Sequence, residues 1–406
     1  MSWNKGIAAS LLSLMTICTA LSAKTLVVAK SPSACVNAAY ETISAALSAA
    51  SPHDTIEVCP AVYAEQLTIT KPVVVRGIAT QISNNEVNRV TIRPTLTGSG
   101  SIAAITIVNT SDVVLENLAV DAGNNDINGC STSVSAIHYF NASGTVRENA
   151  ISGAHPRSVC TSFLGNGFGV LVDTDGTKRG PFRVLVEHNS IHDYARDGVW
   201  VMGSAVFAEV IGNSISGVGP SSGSLQWGVL IFNGAFGLVK GNVISEGLCG
   251  TLEFSDCFAL RSEGIVLRIA ADGTVVEDNV ITNAQFGIFL NGGNRYRITN
   301  NRISNIDGQS GIHLQGPGDP TTLTNTLVQG NAIYNLLPLA NRVCGIDEET
   351  ASGVSGNYIV QNVVNDAYCG VAKVSADVAS ENRFFNTAYG ILEVDLLPGL
   401  PDPPDR

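Results

Sequence analysis

This 406-residue sequence predicts an all-β, single-stranded parallel β-helix, and three observations carry that reading. First, two short phrases alternate along the chain. One is Gly followed by an aliphatic triplet, opening at Gly169, Gly198, Gly228, Gly264, Gly287 and Gly311, with weaker copies at Gly345, Gly370 and Gly390. The other is Asn, any residue, then Ile or a relative. It begins at Asn149, Asn189, Asn213, Asn242, Asn279, Asn301, Asn331, Asn362 and Asn382. Second, most copies recur within roughly 20–40 residues, the period of solenoids and propellers. Third, each phrase is rich in β-branched residues, too short for a helix, and bounded by Gly, Asn or Asp turns. A propeller blade needs four antiparallel strands in about 40–45 residues, and the interval from Asn279 to Asn301 has no room for them. One domain of ten or more coils is expected.

The elements follow in chain order. Residues 1–23 read as a secretory signal: Lys5, an apolar run from Gly6 to Ile17, then small residues near Ala20 and Ala23. The run is short for a membrane span of ~20 residues. Residues 24–60 form a cap and first strand. Thr25–Val28 starts a strand, and Tyr40–Ala50 has helical apolar spacing that Ser51-Pro52 ends. An amphipathic helix protects the open end of a stacked core. Residues 61–395 form the β-helix. Strands are expected at Thr55–Cys59, Gln66–Ile69, Val73–Arg76, Val90–Ile92 and Ile105–Val108, and the repeat proper begins at Asp112–Val120. The tail 396–406 carries four prolines, which cannot extend a ladder.

Composition narrows the partners. Hydrophobic residues make up 45% and charged residues 14%, with 41 Gly, so the chain folds rather than staying disordered. A net charge of −12 argues against nucleic acid and anionic membrane. It also disfavours an acidic polysaccharide unless a cation such as Ca2+ bridges the two. Beyond Cys18 in the leader, the cysteines form four local couples: Cys35 with Cys59, Cys130 with Cys160, Cys249 with Cys257, and Cys344 with Cys369. This grouping suits disulfides in a secreted, periplasmic or extracellular protein. The rival is a metal site, which no CxxC or Cys-His spacing supports.

Register turns the Gly phrase into a surface map. Side chains alternate across a strand, so the invariably aliphatic second and fourth positions face the interior. The third and fifth then face out. The third positions read Leu171, Trp200, Leu230, Val266, Phe289, His313, Asp347, and the fifth Asp173, Met202, Phe232, Arg268, Asn291, Gln315, Glu349. The face is aromatic and apolar first, polar later. Long insertions border it at Ser152–Phe168, Ser216–Trp227, Ser245–Glu263 and Asn335–Cys344, with Thr174–Phe182 and Gly316–Thr326 opposite, outlining a groove. His313 and Asp347 sit on consecutive coils ~4.8 Å apart and suit an acid–base pair, with Arg268 steadying an anionic intermediate. Asp347 and Glu349 could instead serve as the two carboxylates of glycoside cleavage. Trp200, Phe232 and Phe289 suit sugar-ring stacking, with Asn291 and Gln315 beside them. The bland alternatives are a solvated face for the polar cluster and loop or subunit cover for the aromatics.

Other motifs read as scaffold. The repeated Asn suits the left-handed region at a coil corner and can share bonds as a ladder. Asp173-Thr174-Asp175-Gly176 is half of a calcium loop and, more simply, an Asp-Gly turn. His192, Asp193, Arg196 and Asp197 form a polar knot in which Asp197 is explained as an Asp-Gly corner.

Segments such as the run from Thr274 to Gly316 resemble right-handed repeats of the pectin-lyase-like superfamily. That resemblance supplies the handedness, which parallel connections favour in any case. It is specific for fold and not for chemistry. The stretch Cys59 to Glu65 resembles the opening coil of pectin methylesterases, whose later catalytic segments are missing here, so Tyr63 and Glu65 are read as first-coil packing. Ser51-Pro52-His53-Asp54 is similar to a mannuronan epimerase motif but lacks its first Asp and sits in the cap. The polygalacturonase motifs are missing in register. The resemblance implies a secreted carbohydrate-binding or carbohydrate-processing protein: a lyase, hydrolase or epimerase. The competing class is a non-catalytic surface or matrix protein.

Overall fold

The computed structural model describes residues 23–31, 35–78, 80–83, 86–127, 131–156, 167–219, 226–247, 262–316, 322–337, 343–349 and 353–393. The leader, the tail 396–406, the couples Cys130/Cys160 and Cys249/Cys257, and most of the long insertions lie outside them.

Three rows of parallel strands wind into a right-handed β-helix. One row is a 13-stranded sheet; the Asn-phrase and Gly-phrase rows join into a 20-stranded sheet. In later coils both phrases run through one bent strand, as in Val280–Asn291 and Arg302–Gln315. The bend falls at Asn283 and Asn305, both with φ of 54°. Short polar Asn tolerates this left-handed region better than most residues, so the corner needs no loop.

The Gly column exists because coils approach closely there. A Cβ on Gly264 would lie 2.5 Å from Ile281 Cγ2 and 2.6 Å from the Gly287 carbonyl oxygen, and Gly228 and Gly287 are in the same position. The second and fourth residues, such as Ile288 and Leu290, are fully buried in the central core.

Asn149, Asn189, Asn213, Asn242, Asn279, Asn301, Asn331, Asn362 and Asn382 stack as a ladder. Asn242 Nδ2 donates to Asn279 Oδ1 at 2.9 Å and to the Val210 carbonyl at 2.8 Å. Asn242 Oδ1 accepts from the Asn213 backbone and side chain at 2.9 and 3.0 Å. The ladder Asn is not itself left-handed, contrary to the sequence expectation. The residue before it is, as at Glu148, His188, Gly241, Asp278 and Asn300. That preceding turn aims the amide down the stack.

The N-terminal helix, Ile43–Ala49, is shorter than its apolar spacing suggested and is tied at both ends by the first coil. Glu65 accepts from the Ile43 and Ser44 amides at 2.9 and 2.8 Å. Lys71 donates to the carbonyls of Leu47, Ser48 and Ala50. Orphan helix-end groups are thus satisfied by charges of the favourable sign. Asp54 accepts from the Lys24 and Ser51 amides, which hold its carboxyl below the usual carboxylate range. The epimerase-like tetrapeptide is therefore a staple of the cap.

Two expected disulfides form, Cys35–Cys59 and Cys344–Cys369. At the other end, the last strand, Arg383–Glu393, leaves Phe385, Tyr389 and Ile391 exposed.

Candidate functional site

The third position of the Gly phrase forms one column in register: His138, Leu171, Trp200, Leu230, Val266, Phe289, His313, Asp347. These side chains point away from the central core, as alternation requires. Their exposure is not that of an open floor. Leu171, Leu230, Val266 and Phe289 are 1–5% exposed and His313 is 8% exposed. Trp227, Leu230, Val266, Phe286 and Phe289 pack as a second hydrophobic cluster outside the solenoid core, with Trp200 and Phe232 half-buried against it.

Trp227 and Phe286 reveal a second outward column that alternation alone hides. It comprises the residues just before each Gly: Phe168, Asp197, Trp227, Glu263, Phe286, Ser310 and Cys344. The absent Cβ of Gly287 points at the core residue Ile303, and Ile288 is also in the core. Two successive residues therefore face inward, and the one before them faces out. Asp197 is consequently not a turn residue. It opens the strand Asp197–Met202 and is fully buried.

His313 and Asp347 meet. His313 Nδ1 and Asp347 Oδ2 are 3.2 Å apart, and the imidazole stacks on Phe289 at 5.3 Å between ring centroids. Asp347 is one-third exposed and gives the pair its solvent contact. Asn291 donates to Gln315 at 3.1 Å on the flanking column. Glu349 is half-buried, and its backbone amide bonds the Leu314 carbonyl. Arg268 is exposed, lies over Phe232 at 5.7 Å, and pairs in register with Asn291. It stands three coils from Asp347, or ~14 Å by strand spacing, so it does not join the pair. The weak phrase at Gly345 keeps register and sends Glu348 inward where other coils place Val, Ile or Leu. There Glu348 accepts from the Asn357 side chain and the Val374 amide. Burial and the neighbouring Asp377 carboxyl push its pKa up to about 9.

A second His–Asp pair was not read from the sequence. His138 Nε2 lies 2.7 Å from Asp173 Oδ1 at the N-terminal end of the same face. Asp175 accepts from the Thr177 amide and hydroxyl and from Asn141, so the Asp-Gly segment is a closed turn. Among the described residues no group of three His, Cys, Asp or Glu is placed to hold a metal ion.

Around Asp197 the electrostatics are unusual. Neither carboxyl oxygen has a hydrogen-bond partner among the described residues. Arg196 Nε lies 3.6 Å from Asp197 Oδ2, too far for a hydrogen bond. The guanidinium instead lies 4.9 Å from the Trp200 ring and 5.3 Å from the Trp227 ring. Burial, partly offset by Arg196, pushes the Asp197 carboxyl up to about 7.

These features define a parallel β-solenoid with aromatic and ionisable columns on the outer face of one strand row. The chain belongs to the family described as right handed beta helix region, whose model matches residues 135–332 and 249–395. No curated protein sequence matches it. Among solved structures, a GH136 lacto-N-biosidase from Eubacterium ramulus is similar, with 13% identity and a TM-score of 0.56, covering 89% of this chain and 68% of that one. A mannuronan C-5 epimerase A-module from Azotobacter vinelandii has 15% identity and a TM-score of 0.50, covering 84% and 94%. At these identities the likeness is one of fold. No helix among the described residues is long and apolar enough to cross a membrane, and the two disulfides fit an oxidising compartment.

Proposed function

We propose that the protein is exported and binds or processes a polysaccharide along the outer face of the Gly-phrase row, with lyase, hydrolase or epimerase chemistry. The observation that carries this reading is the His313–Asp347 pair, set at the end of an aromatic column that the central core does not require. Asp347 orients the imidazole, and Phe289 stacks against it, so the ring is positioned for proton transfer. Glu349, one strand position beyond the buried Glu348, adds a carboxylate on the same flank. Trp200 and Phe232 offer ring faces to sugars, and Asn291 and Gln315 offer amides. Arg268 would contact the bound chain away from the pair. Calcium enters only as a bridge to an acidic glycan.

The near-complete burial of Phe289, Leu230 and Val266 favours a second reading, a non-catalytic surface or matrix protein. A panel of polysaccharides, with and without calcium, followed by ultraviolet absorbance and reducing ends, separates the two. Turnover that His313→Ala and Asp347→Ala abolish is the expected result. Retained binding without turnover supports the non-catalytic reading, and equal turnover by both variants removes the pair from the site.

A further inference from the structure

Several buried polar atoms of the solenoid lack a hydrogen-bond partner among the described residues, and four of them fall in one neighbourhood. Both oxygens of Asp197, Arg196 Nε and Trp200 Nε1 are buried with no hydrogen-bond partner among the described residues. Buried acceptors and donors thus stand unpaired side by side, and Arg196 links them through its contacts with Asp197, Trp200 and Trp227. Leaving such groups without a protein partner is costly, and a native structure that does so has a role for them. A hydroxyl-rich ring meets every requirement. Its hydroxyls donate to the Asp197 carboxyl and accept from Arg196 Nε and Trp200 Nε1, while its C–H face lies against indole. Glu263, the next residue after Trp227 in this column, brings a second buried carboxyl. With two carboxyls against the Arg196 guanidinium, the neighbourhood offers a uronate no net positive charge, so the sugar is neutral.

Four strand steps separate Asp197 from Ser310, on the strand that carries His313. That is ~19 Å, further than one ring reaches. We propose that Arg196, Asp197, Trp200 and Trp227 form a distal subsite for a neutral sugar, so that the ligand is an oligosaccharide of several rings lying along the solenoid axis. This rests on the glycan reading above.

Trp200 and Trp227 are two of the three tryptophans, the third being Trp3 in the expected leader. Their fluorescence therefore reports this subsite directly. The full exported chain is titrated with xyloglucan, galactomannan and β-1,3-glucan oligosaccharides of increasing length, with alginate and polygalacturonate as acidic probes. Affinity electrophoresis measures binding in parallel, independently of the tryptophans. The expected result is a fluorescence change with neutral probes only and affinity that rises with chain length. Trp227→Ala should weaken it about tenfold or more, and the isosteric Asp197→Asn about threefold or more. Retardation without a fluorescence change, and with Asp197→Asn binding as wild type, overturns the subsite but leaves the glycan reading standing. Preference for the acidic probes overturns the neutral assignment. No retardation by any probe overturns both readings.

Discussion

Two stacks of side chains run along this solenoid, and their polar members follow opposite rules. In the Asn ladder every inner side-chain amide is filled: the Asn242 side chain takes part in four hydrogen bonds at 2.8–3.0 Å. In the outward column before the glycines, Asp197 and Ser310 are as deeply buried, yet their side-chain oxygens have no partner among the described residues. A buried polar group that the fold depends on is bonded by the fold. One left unbonded costs stability, and its persistence points to a use beyond the scaffold.

The largest test of that contrast is Asn242→Ala. It strands the Asn213 amide and the Val210 carbonyl in a dry interior, and should cost roughly 3–5 kcal/mol in chemical denaturation. A loss under ~1 kcal/mol would show the ladder to be dispensable.

Glu348 sharpens the contrast, because it is a buried carboxyl that does have partners. Its folded pKa is about 9, above the ordinary ~4.3, so the folded chain keeps a proton that the unfolded chain has released. The associated stability is complete below about pH 4 and is lost as pH rises towards 9. With a slope of about 1.4 kcal/mol per pH unit, denaturation should show a fall of about 3 kcal/mol between pH 6 and pH 8. Glu348→Gln should remove that part of the pH dependence.

Asp197 titrates in the same direction but finishes near 7, so over the same interval it contributes about 1 kcal/mol. Asp197→Asn should remove this slope and leave the chain no less stable than wild type at about pH 8, the opposite of the ladder substitution. A clear destabilisation there would class Asp197 with the scaffold. The smallest effect belongs to Arg268→Ala. This exposed side chain should change stability by less than ~0.5 kcal/mol in thermal melts, whatever it does to glycan binding.

The Asn and Gly phrases were legible because they answer local needs that recur at each coil. A corner needs a left-handed residue and an amide, and a close approach of two strands needs no Cβ. The strand face of His313 and Asp347 was legible from alternation for the same reason. Asp197 was not: strict alternation carried through Gly198 places it inward, and the Asp-Gly pair reads as a turn. Aligning the residue before each Gly down the stack would have brought Phe168, Asp197, Trp227, Glu263 and Phe286 together. Glu348 was hidden in a phrase whose inward fourth position is elsewhere aliphatic, and its partners Asn357, Val374 and Asp377 come from later in the chain.

By itself, then, the sequence determined the coil repeat, the inward aliphatic columns, the Asn ladder and two of the disulfide pairs, since each depends on spacing and backbone chemistry that repeat along the chain. The tertiary structure alone decided which outward residues are buried and which are open, that Arg268 stands apart from His313 and Asp347, and that Asp197 is buried with no hydrogen-bond partner among the described residues. Burial and charge proximity are set by residues distant in sequence, and no local pattern encodes them.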